Sequence, residues 1–405
     1  MYIFLTFILC ALVLGSKLVG PLSIRVYATI LLILYMVLLK KKEHSSYLHL
    51  KSYPIVVYIC FLVYLLIVKF FSQEFVSNIN ELPIFFKNIL AFYFVGIIGY
   101  IGVNYLLISQ EDGKKLVLFL TILALVNTFI SYLQYKGNPL GVGFAIILTS
   151  DPGEYVEKIQ ENLDRVSQLN MAVPGIFGHG VINGYLEACF AMISLYYTFA
   201  YRGCKKIAAF SIFIILLYGS FIIQERSPLG LLLLFTLMAC WKYERRTFLL
   251  IASISLFAVI IALPTITSIL ASDDMGRYAN MFEFGRKREH LIENALLFIS
   301  DHLILGGEVH YGKLYGLVPH NFVLHSFIVA GIFGTIMVMY LFCYIFKDIY
   351  YTMKRAKSLQ LSYFFASALA IYLLNGFFHT SSLLTGDIMI WVLYAAMLRC
   401  RQLKI

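Results

Sequence analysis

Apolar runs of about twenty residues recur along nearly the whole chain, and that recurrence limits its possible folds more than any motif does. Hydrocarbon offers no partner to a backbone amide, so a run of this length crosses a bilayer as an α-helix, which satisfies its amides internally. Twelve candidate spans can be drawn, at approximately 2–19, 23–39, 54–71, 84–108, 116–134, 181–201, 206–223, 228–241, 247–268, 320–346, 360–378 and 387–399. Apolar residues make up 60% of the chain and charged ones only 13%, which excludes a soluble globular protein, a disordered tail and a fibrous repeat. The expected fold is an all-α integral membrane protein. It forms one polytopic domain over residues 1–405 with about 12 transmembrane helices, and little chain remains for a separate soluble domain.

The basic residues choose an orientation. Lys and Arg number 32 against 22 Asp and Glu, a formal charge of +10. In a membrane chain such an excess reports sidedness before anything else, and no nucleic-acid partner is expected. Nineteen of the 32 fall on one side of the alternating spans. They are Lys40, Lys41, Lys42 and Lys51; Lys114 and Lys115; Arg202, Lys205 and Lys206; Lys242, Arg245 and Arg246; Lys347, Lys354, Arg355 and Lys357; and Arg399, Arg401 and Lys404. By the positive-inside rule that side is the cytoplasm, and both termini lie there. The N-terminal MYIFLTFILCALVLG has no basic stretch ahead of its apolar run and reads as an uncleaved first span. The seven cysteines sit in apolar runs or beside basic loops, so no disulfide framework is suggested.

This orientation puts two long loops outside, residues 134–180 and 269–319, and loops of that length are commonly functional. In the first, Asp151-Pro152-Gly153-Glu154 reads as a helix start, and Val156, Ile159, Leu163 and Val166 follow at helical spacing. In the second, Leu291, Ile292, Ala295, Leu296 and Ile299 form an apolar stripe behind Arg286-Lys287-Arg288, which predicts an amphipathic helix on the bilayer surface. No GxxxxGK[ST] loop, GxGxxG fingerprint or HExxH spacing occurs, and the short inner loops carry no Asp-x-Asp pair. A nucleotide-driven pump or a cytoplasmic nucleotide-sugar enzyme is therefore not expected. Chemistry is expected at the outer face, with no cofactor and no metal.

Three stretches carry polar residues suited to such chemistry. The hairpin from Ile207 to Trp241 has 35 residues, short of the roughly 40 that two full spans need. Its turn, Gln224-Glu225-Arg226-Ser227-Pro228, is thus expected below the outer surface, where a charge is costly unless paired or facing a cavity. With Ser227 as cap and Pro228 in the first turn, the positive helix end and Arg226 would face one volume suited to a phosphate. Alternatively Arg226 pairs with Glu225 or extends to the interface. In Gly285-Arg286-Lys287-Arg288, the last two read first as a basic rim for anionic headgroups, with Arg288 kept as a candidate substrate contact. Pro319 marks a helix start that puts His320 in the first outer turn, where a neutral imidazole can accept a proton. His325, five residues on, lies about 140° further round the helix and faces elsewhere.

Other polar residues have two readings. Glu187, one turn after Asn183 inside the sixth span, either orders Arg226, senses an acceptor or is a structural hydrogen-bonding group. His179 precedes that span and is a candidate glycan contact. Asn375, His379 and Asp387 surround the last outer turn and read as caps, while Tyr278, Tyr311 and Tyr315 are available to stack on sugar rings.

Taken in order, Gly285-Arg286, Leu305-Gly306-Gly307, Pro319-His320-Asn321-x-x-Leu324 and Gly331-x-x-Gly334 resemble the outer loop and following span of the O-antigen polymerase and O-antigen ligase superfamily. Arg226 is similar to that family's other arginine, although Glu225 stands where the family has Ser or Thr. Gly175-Ile176-Phe177-Gly178-His179-Gly180 with Asn183 resembles the stretch before its middle span, and residues 1–170 match only in hydropathy. The resemblance implies a helical membrane bundle like the lipid-dependent (GT-C-like) glycosyltransferases, in the bacterial plasma membrane. The implied reaction is metal-independent, inverting transfer of an undecaprenyl-diphosphate-linked glycan at the outer leaflet. His320 would be the base, and Arg226 and Arg286 would bind the diphosphate. Asn321, Glu187, Asn183, His179 and Arg288 are the candidate substrate contacts. Donor and acceptor are both lipid-linked oligosaccharides, and a chain-length regulator is an implied partner. A ligase that transfers the glycan to lipid A-core shares these motifs. A lipid-glycan flippase fits the span count but usually shows paired repeats with broken helices, which the sequence lacks.

Overall fold

Backbone amides that cannot reach water must bond to one another, and the chain meets that demand with helices. The computed structural model describes residues 1–14, 18–19, 22–39, 53–71, 94–148, 173–245, 283–356, 358–378 and 387–404. Among them run fourteen helices. They are α1 (Tyr2–Val13), α2 (Ile24–Leu39), α3 (Tyr53–Phe71), α4 (Val95–Leu106), α5 (Gln110–Tyr135), α6 (Pro139–Leu148), α7 (Gly180–Ala200), α8 (Cys204–Ile222), α9 (Arg226–Tyr243), α10 (Glu283–Asp301), α11 (Glu308–Tyr315), α12 (Phe322–Arg355), α13 (Leu361–Asn375) and α14 (Ile388–Gln402). By length and composition α5, α8 and α12 can each cross a membrane. Shorter apolar stretches are Tyr2–Val13, Ile24–Leu38, Tyr53–Val68, Val95–Leu106 and Leu361–Asn375.

Several boundaries differ from the sequence expectation. The first helix ends at Val13 instead of 19, and Leu18–Val19 (β1) pairs antiparallel with Leu22–Ser23 (β2). The sequence between those strands is Gly20-Pro21, which punctuates a helix despite the apolar pattern. The loop 134–180 holds the helix α6, capped by Asn138, whose Oδ1 accepts from the Leu140 amide at 3.0 Å. The helix expected over residues 151–166 lies outside the described residues, as do the span at 247–268 and residues 84–93. In the second loop α10 forms as expected, and α11 follows it.

The chain divides into two compact units. The first comprises Met1–Asp112, Glu283–Arg355 and Leu373–Lys404. Here α4 and α14 approach closely: a Cβ on Gly99 would sit 3.1 Å from Val392 and 3.2 Å from Ile388. Trp391 is fully buried between Tyr58 of α3 and Tyr100 of α4. The end of α14 is fastened by polar groups. Tyr394 donates to Asp348 Oδ2 at 2.6 Å, Arg401 lies 3.7 Å from the other Asp348 oxygen, and Arg399 donates to the Leu107 carbonyl.

The most consequential element of this unit is α12. Phe322 and Phe342 stand 20 residues apart, about 30 Å along a straight helix, yet their ring centroids are 4.9 Å apart. The chain therefore folds back at Gly331, whose φ of 61° and ψ of −166° break the helix into a short leg, residues 322–330, and a long leg, residues 332–355. The fold-back requires glycine twice over. The φ is left-handed, and a Cβ would collide with the Ile304 carbonyl.

The second unit comprises Gly113–Phe282, Ala356–Tyr372 and Ile405. Its centre is α7, buried along most of its length by α8, α9 and the N-terminal part of α13. Cys189 of α7 donates its thiol to the Ala368 carbonyl, and Tyr185 meets Tyr372 edge-on at 4.5 Å.

Gly331→Val should destabilise the protein by at least about 2 kcal/mol, combining left-handed strain with the clash. Gly312→Ala, where a Cβ meets open space on α11, should be neutral or slightly stabilising. Thermal unfolding in detergent would show a clear drop for the first variant and none for the second.

Candidate functional site

In the second unit, polar residues of α5 hold the irregular segment that enters α7. Asn127, Ser131 and Gln134 recur at i, i+4 and i+7, so they share one face with Thr128 beside them. Gln134 accepts from the Gly175 amide at 2.8 Å and donates to its carbonyl at 3.2 Å. Asn127 Oδ1 accepts from the Ile176 amide at 2.9 Å, and Asn183 Nδ2 donates to the Val173 carbonyl at 2.8 Å and to Ser131 at 3.1 Å. Gly175 turns there with φ +58°, and a Cβ would fall 2.5 Å from the Asn183 amide nitrogen. Residues 173–177 are therefore buried in protein, whereas the sequence placed them in an outer loop.

Glu187 completes this network. Asn127 Nδ2 donates to its Oε2 at 2.7 Å and Thr128 Oγ1 to its Oε1 at 2.6 Å, while Asn127 also donates to Asn183 Oδ1 at 2.6 Å. Of the readings open from sequence, the geometry selects the structural one for Glu187 and Asn183, both fully buried. α8 can approach only because residue 219 is glycine: a Cβ there would meet Thr128 and sit 3.0 Å from Glu187 Oε1. Four network residues of α5 were missed from sequence, although a polar row at helical spacing in an apolar helix was the available signal.

The turn between α8 and α9 lies against the same end of α7. Val173 donates its amide to the Ile223 carbonyl at 3.2 Å, and a Cβ on Gly184 would fall 2.5 Å from Glu225 Cβ. Gln224 adopts φ 64°, a strained value for a residue with a side chain, and Gln224 and Glu225 are both buried. α9 begins at Arg226, with Glu225 in the capping position and no side-chain cap bond. This corrects the expectation that Ser227 caps the helix: Ser227 is the second helical residue and Pro228 the third, where its missing amide costs nothing. Arg226 is half-buried at the positive helix end. His179 occupies the capping position of α7, exposed, and its carbonyl accepts from the Asn183 amide at 2.9 Å.

In the first unit, the fold-back at Gly331 determines where His320 lies. The Phe322 amide donates to the Gly376 carbonyl at 3.0 Å, and the Phe377 ring meets Phe322 and Phe342 at 4.8 and 5.3 Å. Residues 320–322 thus lie beside Phe342, eleven residues down the long leg from Gly331, or about 16 Å. Asn321 caps the short leg, its Oδ1 accepting from Val323 at 3.0 Å and Leu324 at 3.2 Å. The helix start therefore belongs to Asn321 and not to Pro319, and His320 precedes the helix, exposed, instead of sitting in its first turn. With its carbonyl oxygen committed to the cap, Asn321 acts first as a structural group.

Gly306, Gly307 and Gly331 of the outer-loop pattern meet at the fold-back. Gly306, at φ +72°, would carry a Cβ 2.5 Å from the Ile328 carbonyl. Gly307 donates to that carbonyl at 2.7 Å, and Ile332 donates to the Leu303 carbonyl at 2.8 Å. Arg286 and Arg288 lie in the opening turns of α10, and their side chains are outside the described residues. His325 is buried with Nε2 3.8 Å from Glu308 of α11, so it is occupied away from His320. Tyr311 is also buried, edge-on to Phe298 at 5.2 Å, and is a core residue instead of a sugar platform. Asp387 caps α14 as expected, accepting from Met389 at 3.0 Å. His379 and Tyr278 lie outside the described residues. Among the described residues, no three His, Cys, Asp or Glu side chains gather as metal ligands would.

No family model matches the chain, and no curated protein matches it.

Asn127→Leu removes the donor shared by Glu187 and Asn183 and strands three buried polar groups. The expected loss is about 2–4 kcal/mol, since an unsatisfied buried group costs roughly 1–3 kcal/mol. Chemical denaturation in detergent should show that loss, with Glu187→Gln milder because an amide keeps one acceptor.

Proposed function

We propose that the chain is a membrane glycosyltransferase of the O-antigen polymerase type, a polytopic bundle of about twelve spans in a bacterial plasma membrane with both termini inside. It would join lipid-diphosphate-linked oligosaccharide repeats at the outer leaflet. The observation that carries the reading is the Gly331 fold-back. It fixes the turn that carries an exposed imidazole, His320, ahead of the short leg. An exposed imidazole on a fixed turn can accept a proton from a hydroxyl. The close contacts among Leu303–Gly307, Ile328 and Gly331 add support, because they account for Gly306, Gly307 and Gly331 of the resemblance by backbone approach.

The chemistry follows from the residue types. His320 removes the proton from an acceptor sugar hydroxyl as that oxygen attacks the donor's anomeric carbon. The bond from that carbon to the diphosphate oxygen breaks, and the lipid diphosphate leaves with the electron pair. Arg226 and Arg286 offer permanent charge and forked donors to the negative charge that develops. Arg226 has the added advantage of standing at a helix N-terminus. Displacement in one step inverts the anomeric centre.

Purified protein incubated with lipid-linked repeat units should lengthen them in detergent, where no membrane sidedness exists, which a pure flippase would not do. His320→Ala and Arg286→Ala should each lower elongation at least about 100-fold while the protein remains folded and inserted. Near-normal product from either variant would remove that residue from the mechanism. In cells lacking the protein, single repeats on the core point to a lost polymerase, whereas long lipid-linked chains with bare core point to a lost ligase.

A further inference from the structure

The helix α10 presents three different sides. Ala295 and Phe298 pack on Tyr311 and Ile328, and His302 stacks on Phe298 with centroids 4.2 Å apart. Roughly a third of a turn away, Ile292, Leu296 and Ile299 repeat at i, i+4 and i+7, and Leu303 continues the row past the helix end. The remaining side carries His290, Asn294 and Asp301, with Leu297 at its edge, 61% exposed. The apolar stripe read from sequence therefore spans two sides, one turned to protein and one outward. Leu296 is 55% exposed and Ile304, in the turn that follows, 63%.

Two observations indicate what covers the outward row. The turn Leu303–Gly307 is fastened by backbone hydrogen bonds to Ile328 and Ile332, at the tip where the long leg of α12 begins. That leg belongs to a helix long and apolar enough to cross a membrane, and its exposed Phe333, Ile336 and Tyr340 would meet acyl chains. The exposed Leu303, Ile304 and Leu305 continue that apolar surface at the Gly331 tip. The basic run Arg286-Lys287-Arg288 opens the same helix, a composition suited to phosphate headgroups.

We propose that α10 and the Leu303–Leu305 turn lie embedded in one leaflet at the boundary of headgroups and acyl chains, with Ile292, Leu296, Ile299, Leu303 and Ile304 in contact with lipid. α10 would thereby be a monotopic anchor that holds the arginines at its start at headgroup level. This inference is independent of glycosyl transfer.

The test uses the full chain reconstituted in phosphatidylethanolamine–phosphatidylglycerol vesicles, with the exposed Cys60, Cys204 and Cys343 replaced by Ala. Leu296→Cys, Ile304→Cys and Asp301→Cys are made singly, labelled with a nitrobenzoxadiazole fluorophore, and checked for a single gel-filtration peak. Brominated acyl chains should quench the label at 296 and 304 at least threefold more than at 301. Equal quenching at all three positions would overturn the proposal. So would a shielded label at 296 and 304 that bromolipid does not quench, because a second copy or another protein would then cover the row.

Discussion

At Gly331 the chain reverses where a Cβ would be driven into the Ile304 carbonyl and sit 2.8 Å from the Leu305 amide. Only a residue without a side chain lets two backbones come that close at a left-handed φ. Three consequences follow from this contact. The short leg turns back along the long one, so Phe322 reaches Phe342. The amides of Gly307 and Ile332 find partners across the junction, so the turn satisfies its own polar groups without water. The cluster of Ala295, Phe298, Tyr311 and Ile328 then joins α10 and α11 to the short leg.

The second unit solves a different problem by different means. Its α7 is buried among apolar helices yet carries Asn183 and Glu187, which would be intolerable without partners. The row on α5 supplies those partners, and it also grips the backbone of residues 173–176. One set of side chains thus serves two purposes, satisfying a buried carboxylate and fixing the irregular segment that enters α7. The turn at Gln224 and Glu225 is positioned by the same segment through the bond from Val173 to Ile223.

Helix positions were legible in the sequence because hydropathy is a local property of twenty-residue windows. The expected spans at 23–39, 54–71 and 181–201 match their helices within one residue at each end, and that at 116–134 begins six residues late, because the helix opens with the polar Gln110–Lys115. The amphipathic helix before His320 was legible for the same reason. The Gly331 reversal was not, because the residues around it are apolar and helix-forming, and one glycine in such a run is usually tolerated. Its effect depends on Ile304 arriving from a distant part of the chain. The helix cap was misplaced at both polar turns for a related reason. Pro319 and Ser227-Pro228 carry strong local signals, but burial of Glu225 against Gly184 and the bond from Phe322 to Gly376 decide where the helices begin. Glu187 was recognisable as exceptional, while its partners became apparent only with α5 and α7 side by side.

The donors that surround Glu187 also precede it in the chain. A helix that enters hydrocarbon alone with an acidic side chain carries a penalty of roughly 3 kcal/mol. α5 precedes α7 in the chain, so Asn127 and Thr128 are synthesised before the carboxylate they bond. The partners of Glu187 therefore already exist when it is made.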